Sequence, residues 1–276
     1  MMALIVGLLP YESGKTTVAK YLISEAVERG FDVGVSKPIC AVNGWYNYSC
    51  MIKSLKYRKL IGEDVYKLHK AARSLDPIEI ENPFALLLMP PDPERVEWRS
   101  SSYTALSIID QVVLIRISTP NKTVHMFIPS NANRLTKTLR EELERLKSNL
   151  NPTPKDLDYE DLDGVILKAH AIVDDCVKRI VDIHEFTIVE SYSDAAAPTK
   201  GSLNADVVIA VAPSKLAIYT GEFYKKALIA ISSIREPWLT KTEEILPLLN
   251  PIKTIELKPF KRIEILDHVL NAMKSY

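Results

Sequence analysis

The chain has 276 residues, of which 47% are hydrophobic and 25% charged, a composition typical of a globular protein with one large core. Its 35 basic and 35 acidic residues give a formal net charge of +0, so the overall charge gives no support to nucleic-acid binding. There is no apolar run of about 18 residues that could span a membrane, no signal-peptide pattern and no CxxC pair among the three cysteines. We therefore expect a cytoplasmic protein without a membrane partner or a zinc site.

The N-terminal segment has the pattern of a strand, a loop, a helix and a second strand. Residues 3–6 form an apolar run suited to a buried parallel strand, and apolar side chains recur at helical spacing over residues 18–27. Residues 31–36 (FDVGVS) predict the second strand, which ends before Lys37 and Pro38. This order is a βαβ unit, which implies a parallel sheet.

Helices and strands continue to alternate along the chain. The predicted helices are residues 63–73, 135–146, 172–183 and 263–273, and the predicted strands are residues 186–189, 207–211 and 252–257. Residues 111–118 and 123–129 predict a hairpin. Residues 217–234 predict either one long helix or a helix followed by a strand. Residues 149–163, which are rich in Pro and Asp, are expected to form a mobile connection.

These elements predict the α/β class, with a doubly wound, mostly parallel sheet in three αβα layers. Residues 1–276 are interpreted as a single domain. Residues 92–163 are interpreted as an insert within it that contributes the hairpin and a helix.

The stretch GLLPYESGKTT, residues 7–17, predicts a phosphate-binding loop. It lies between a buried strand and a helix, where backbone N–H groups and the helix dipole attract anions. Lys15 would reach the terminal phosphates, and the hydroxyl of Thr16 would ligate Mg²⁺. The predicted nucleotide-binding residues are Glu12, Ser13, Gly14, Lys15, Thr16 and Thr17.

The loop departs from the strict pattern GxxxxGK[ST]. Leu9 occupies the position of the first glycine, and Gly7 lies two residues earlier. A chance GKT sequence before a helix is the alternative interpretation. The position between strand and helix favours a phosphate site, and ATP or GTP is the expected ligand.

The order of loop, helix, glycine, strand and Lys-Pro resembles the dethiobiotin synthetase-like P-loop proteins, which are grouped with MinD/ParA ATPases and cobyrinate amidases. The lysine of their Lys-Pro meets the reacting groups, which implies this role for Lys37. GEDVYKL, residues 62–68, resembles the family's helix start whose aspartate ligates magnesium, and Asp64 matches that aspartate. FTIVESYSDAAAP, residues 186–198, resembles the strand whose final glutamate reaches the metal, and Glu190 matches that glutamate.

The resemblance covers roughly residues 1–91, which include the Asn-Pro segment ENPFALLLMPP, and residues 172–234. It implies a P-loop fold with Lys15, Lys37 and Glu190 as catalytic residues, Thr16, Asp64 and Glu190 as magnesium ligands, and a possible homodimer. The family's glycines after the strand glutamate are replaced here by residues 191–194 (SYSD). The family's diaminopelargonate substrate is therefore not carried over to this chain.

The candidate residues also have structural interpretations. Glu190 could be a solvated residue at a strand end, Asp64 a favourable charge at a helix start and Lys37 a partner in a surface salt bridge. Asp194 is interpreted as a turn residue rather than a general base. His170 and His184 are interpreted as structural.

Three functions remain open from the sequence. The first is a magnesium-dependent ligase-like enzyme that activates an unidentified small substrate by phosphoryl transfer. The second is a polynucleotide 5′-hydroxyl kinase, for which the aromatic and basic run at residues 45–59 would bind nucleic acid; a solvated helix face is the other interpretation of that run. The third is a nucleotide-gated binding protein whose partner docks on residues 92–163.

Overall fold

The computed structural model describes residues 1–231, 236–258 and 261–274, and these residues form both helices and strands. The strands are β1 (Met2–Gly7), β2 (Val33–Ser36), β3 (Ile39–Asn43), β4 (Phe84–Leu88), β5 (Val112–Thr119), β6 (Lys122–Phe127), β7 (Lys155–Asp156), β8 (Phe186–Glu190), β9 (Val207–Ala212), β10 (Lys215–Thr220) and β11 (Lys253–Glu256). The helices are α1 (Lys15–Glu28), α2 (Tyr48–Tyr57), α3 (Glu63–Ala72), α4 (Ile78–Glu81), α5 (Ser100–Thr104), α6 (Pro129–Ala132), α7 (Lys137–Asn149), α8 (Leu162–Ile183), α9 (Gly221–Ile231), α10 (Thr242–Ile245) and α11 (Leu266–Lys274).

Six strands form the first sheet, in the order β11-β10-β9-β1-β8-β2. The four strands β9, β1, β8 and β2 are parallel, and β10 runs antiparallel to both of its neighbours. Because the carboxyl ends of parallel strands share one edge, the loops after β1, β2, β8 and β9 gather there. This edge is where open α/β sheets bind their ligands.

Helices cover both faces of the first sheet because its strands bury side chains on both sides. Ala3 and Ile5 of β1 pack in one cluster with residues of α1 and α11. Leu4 and Val6 point to the other face, where they cluster with residues of α8 and α9. Such continuous burial explains why these strands are almost wholly apolar in sequence.

The second sheet has five strands in the order β3-β4-β5-β6-β7. Its β3–β4 and β6–β7 pairs are parallel, whereas β4–β5 and β5–β6 are antiparallel. Helices α2 and α7 pack on one face, and α8 packs on the other. Helix α8 also contributes Val177 to the core of the first sheet, so it lies between the two sheets.

The chain passes from the first sheet to the second at Lys37 and Pro38. Strand β2 ends at Ser36 and β3 begins at Ile39, so this first connection between the sheets is two residues long. The backbone N–H of Lys37 donates to the carbonyl of Glu81 at 2.7 Å. The crossing therefore holds Lys37 at the carboxyl edge of the first sheet.

The α/β class is confirmed, but the strand arrangement differs from the prediction of one mostly parallel sheet. The structure has two sheets, and each contains parallel and antiparallel pairs. Strands β5, β6 and β7 lie within the predicted insert at residues 92–163, and β3 and β4 precede it. The predicted hairpin is confirmed as β5 and β6, and the predicted charged helix as α7.

The prediction for residues 217–234 was wrong in the order of its elements. The strand β10 comes first and the helix α9 follows, while residues 232–234 lie outside the described residues. Ser214 has a φ of 64°, which closes a tight turn between β9 and β10. The hairpin thus begins before the apolar run that suggested a helix. In the described ranges, no helix is long and apolar enough to cross a membrane.

Candidate functional site

Residues 8–14 form a loop between β1 and α1 at the carboxyl edge of the first sheet. Glu12 and Gly14 have φ values of 52° and 94°, so the backbone turns through two left-handed positions before the helix. Gly14 is the N-cap of α1 and supplies no side-chain cap to the first turn. The first N–H groups of a 14-residue helix therefore face the loop, which is the arrangement that binds anions.

Gly7 makes room for the side chain of Lys15. A Cβ atom at residue 7 would lie 2.5 Å from Lys15 Nζ and 2.5 Å from Ser13 Oγ. The early glycine is thus required by close approach, although it stands two residues before the usual position.

Lys15 is buried and aimed inward. Its Nζ donates to the carbonyl of Ser193 at 2.6 Å and to Ser13 Oγ at 3.2 Å. Burial, together with the nearby charge of Lys37, lowers the pKa of Lys15 to about 8. At neutral pH the residue remains a cation despite its burial, and an anion beside it would be favourable.

Glu190 is the last residue of β8, and its carboxylate connects Thr16, at the start of α1, with Lys37, which follows β2. Its Oε1 accepts from Thr16 Oγ1 at 2.9 Å and from Lys37 Nζ at 2.6 Å. Its Oε2 is buried without a hydrogen-bond partner among the described residues. Glu190 is 1% exposed, so it is not the solvated strand-end carboxylate of the alternative interpretation.

Lys37 is a buried lysine held by two hydrogen-bond acceptors and a further carboxylate. Besides Glu190, its Nζ donates to the carbonyl of Ser191 at 2.9 Å and lies 3.6 Å from Asp64 Oδ2. Asp64 lies in the first turn of α3 with its side chain 42% exposed. The structure therefore brings Lys15, Thr16, Lys37, Asp64 and Glu190 together, although they lie far apart in the sequence.

The pKa shifts follow from burial and charge pairing. Burial lowers the pKa of Lys37, but Glu190 and Asp64 more than offset this effect and raise it above its usual value. Burial raises the pKa of the Glu190 carboxyl, while Lys37 and Thr16 oppose that change. The pair is thus a buried ion pair with one carboxylate oxygen unused.

Two of the three predicted magnesium ligands fit a hard cation. Thr16 and Glu190 present oxygens to the same place, and the unpartnered Oε2 of Glu190 is an orphaned acceptor that a cation would satisfy. Asp64 lies beyond Lys37 and contacts its ammonium. Among the described residues, no three His, Cys, Asp or Glu side chains form a metal-binding group. The chain would therefore supply few ligands, with phosphates and water supplying the rest, as Mg²⁺ prefers.

A cleft adjoins the loop on the side away from Lys37. Its volume is about 260 Å³, and its lining includes Glu12, Ser13, Thr17 and Tyr21 as well as the β9–β10 turn and Lys258. Glu12 and Thr17, both predicted to bind nucleotide, face this cleft and not the buried cluster. A larger cavity of about 520 Å³ lies at the opposite edge of the sheet, near Met1 and Asp206.

Asp194 occupies a turn, and its carboxylate accepts from Ser193 Oγ at 3.1 Å and lies 3.6 Å from Lys241 Nζ. His184 contacts two aspartates at the far edge of the sheet. His170 stacks on Trp238, with 4.5 Å between ring centroids. These positions agree with the structural interpretation of all three residues.

Asn82 belongs to the Asn-Pro segment noted in the sequence, but its contact with Lys37 was missed, and Arg116 was missed altogether. Asn82 donates from Nδ2 to the carbonyl of Lys37 at 2.6 Å, and Asn82 Oδ1 accepts from Arg116 at 3.0 Å. The signal for Arg116 was present, because an arginine interrupts the otherwise apolar run of β5.

The aromatic and basic run at residues 45–59 belongs largely to α2. Two of its cations have carboxylate partners: Lys53 pairs with Glu63, and Lys59 pairs with Glu79.

Comparison with models of known families, with curated proteins and with solved structures finds no match for this chain.

Proposed function

We propose that this chain is a magnesium-dependent P-loop NTPase that binds ATP or GTP and activates a small substrate by phosphoryl transfer. The observation that carries the proposal is the convergence of Lys15, Thr16, Lys37 and Glu190 at the start of α1. This is the set that phosphoryl transfer requires: cations for the phosphates, a hydroxyl and carboxylate for the metal, and a helix start for the anion.

The nucleotide would bind with its phosphates against the loop and its base in the adjoining cleft. The N–H groups of residues 13–16 would receive the phosphates, and Lys15 would exchange the carbonyl of Ser193 for a phosphate oxygen. A bound Mg²⁺ would neutralise phosphate charge beside Thr16 and Glu190. The cleft near Tyr21 and Lys258 adjoins the loop, so a base could occupy it while the phosphates contact the loop.

Lys37 is the residue that makes an enzyme the preferred function. It is a buried cation that donates to the same Glu190 oxygen as Thr16, and Asp64 beside it is partly open to solvent. A cation in this position would stabilise negative charge on a transferred phosphoryl group or an acyl phosphate. The substrate would then approach from the side of Asp64.

The polynucleotide kinase is less well supported. Its nucleic-acid surface would use lysines that already have carboxylate partners within the chain, such as Lys53 and Lys59. No comparable observation favours a nucleotide-gated partner site on residues 92–163.

Phosphate release from ATP and GTP tests the proposal, with Glu190→Gln as the isosteric variant. Glu222→Gln is the matched control because Glu222 is exposed and pairs with a surface lysine, Lys226. We expect magnesium-dependent release by the wild-type protein, a loss of about 100-fold in Glu190→Gln and no change in the control. The proposal is wrong if the wild-type protein releases phosphate from neither nucleotide, or if Glu190→Gln is fully active.

A further inference from the structure

Arg116 of β5 is a fully buried cation whose five N–H groups are all used. Its Nε donates to the carbonyl of Leu60 at 2.7 Å, and its Nη1 donates to Ser118 Oγ at 2.8 Å and to the carbonyl of Glu79 at 3.3 Å. Its Nη2 donates to both the carbonyl and the Oδ1 of Asn82. The guanidinium thus binds two other segments, at Leu60 and at residues 79–82, as well as Ser118 of its own strand.

This arrangement is energetically unusual because every acceptor is neutral. Burial lowers the pKa of Arg116 to about 10, so the residue is still a cation at neutral pH. The direct acceptors of this buried charge are carbonyls, a hydroxyl and an amide, and the carboxylate of Glu79, which acts on it only through space, is itself paired with Lys59. Its geometry therefore calls for an explanation other than stability alone.

Asn82 connects Arg116 to Lys37. Its Oδ1 accepts from Arg116, and its Nδ2 donates to the carbonyls of Lys37 at 2.6 Å and Phe84 at 3.2 Å. Since the amide has partners of the right type on both atoms, its orientation is fixed. With the N–H of Lys37 bound to the carbonyl of Glu81, both backbone polar groups of Lys37 are held by residues 81–82.

The same guanidinium also reaches the segment that carries Asp64. Leu60, which accepts from Nε, precedes the start of α3 by three residues, and Asp64 lies in the first turn of that helix. One buried side chain therefore fixes the two segments that place Lys37 and Asp64 within 3.6 Å of each other.

We propose that Asn82 and Arg116 are positioning residues that set Lys37 against Glu190. Residues of the second sheet and its flanking segment thereby position Lys37, which belongs to the site at the edge of the first sheet. The consequence for catalysis rests on the proposed function, whereas the consequence for the position of Lys37 does not.

Asn82→Ala tests the proposal against Asn131→Ala as the matched control. Asn131 is also a buried asparagine beside the second sheet, and it donates to the carbonyls of Ile109 and Val112. We expect Asn82→Ala to lower kcat by about 10- to 100-fold with little change in Mg²⁺–ATP affinity, because a cation displaced by a fraction of an ångström loses its effect. Asn131→Ala should lose stability but keep the wild-type kcat. Equal kcat losses in the two variants, or none in Asn82→Ala, would overturn the proposal.

A crystal structure of Asn82→Asp separates this inference from the proposed function. The carboxylate of this variant would keep an acceptor for Arg116 but lose the donor to the carbonyl of Lys37. We expect Lys37 Nζ to lie more than about 3.5 Å from Glu190 Oε1, beyond hydrogen-bond distance, instead of the present 2.6 Å. An unchanged Lys37–Glu190 contact overturns the inference even if the protein hydrolyses nucleotide. A displaced Lys37 upholds the inference even if the wild-type protein proves inactive.

Discussion

Replacing Gly7 by alanine tests how the loop accommodates Lys15. The added Cβ would lie 2.5 Å from Lys15 Nζ, 2.5 Å from Ser13 Oγ and 3.0 Å from Lys15 Cδ. The two distances of 2.5 Å are shorter than any tolerable contact, so a neighbouring group must move. The end of the lysine side chain is the most flexible of these groups, and we expect Lys15 to leave its place above β1.

The magnitude follows from overpacking and from a lost charged contact. Overpacking a buried site costs about 1–3 kcal/mol of unfolding free energy. Loss of the hydrogen bond between a charged ammonium and a phosphate costs about 1.5–3 kcal/mol of binding free energy, which weakens Mg²⁺–ATP binding by about 10- to 100-fold. Urea denaturation measures the first effect, and titration calorimetry measures the second.

Gly164→Ala is the matched control. Gly164 lies in α8, and a Cβ there has nothing within 4 Å. An alanine in a helix should raise stability by about 0.5–1 kcal/mol and leave nucleotide affinity unchanged. The reasoning is refuted if Gly7→Ala binds nucleotide as the wild-type protein does, or if the two variants lose affinity equally.

Three further predictions concern stability. Lys37→Met leaves the Glu190 carboxylate buried and unpaired, so urea denaturation should show a loss of about 3–5 kcal/mol, and adding Glu190→Gln should restore part of it. Burial lowers the pKa of His184, but Asp32 and Asp76 raise it above its usual value, so its contribution to stability is complete below about pH 6.5 and is lost as pH rises through the raised folded-state pKa. Asp76→Asn should flatten that decline, and an unchanged pH profile would contradict it. Leu143→Ala, in the core between α7 and the second sheet, should cost about 2–5 kcal/mol without changing nucleotide affinity, and a parallel loss of affinity would contradict the separation of core and site.

The local part of the site could be predicted because short-range patterns determine it. A buried strand, a loop that ends at Gly14 and a periodic helix follow one another within residues 2–28, and they carry the proposed phosphate-binding loop. Glu190 and Lys37 could be placed because parallel strands end at one edge. Their mutual ion pair could not be predicted, since it depends on how far each side chain reaches.

The second sheet could not be predicted for a different reason. Strand β3 follows β2 after only two residues, and its sequence ICAVN reads like any buried strand. Which sheet a strand joins depends on partners distant in sequence, here β4. The same limitation hid the role of Arg116, whose contacts outside β5 come from two segments, at Leu60 and at residues 79–82, that precede it by 34 or more residues.

Titration calorimetry with Mg²⁺–ATP and Mg²⁺–GTP, on the wild-type protein and on Lys15→Ala, tests the central claim most directly. We expect one-to-one saturable binding of at least one nucleotide by the wild-type protein. In Lys15→Ala that binding should be weaker by about 10-fold or more, since the variant removes a charge-assisted phosphate contact. Absence of binding of both nucleotides to the folded wild-type protein, or equal binding by Lys15→Ala, would contradict the assignment of residues 7–17 as a phosphate-binding loop.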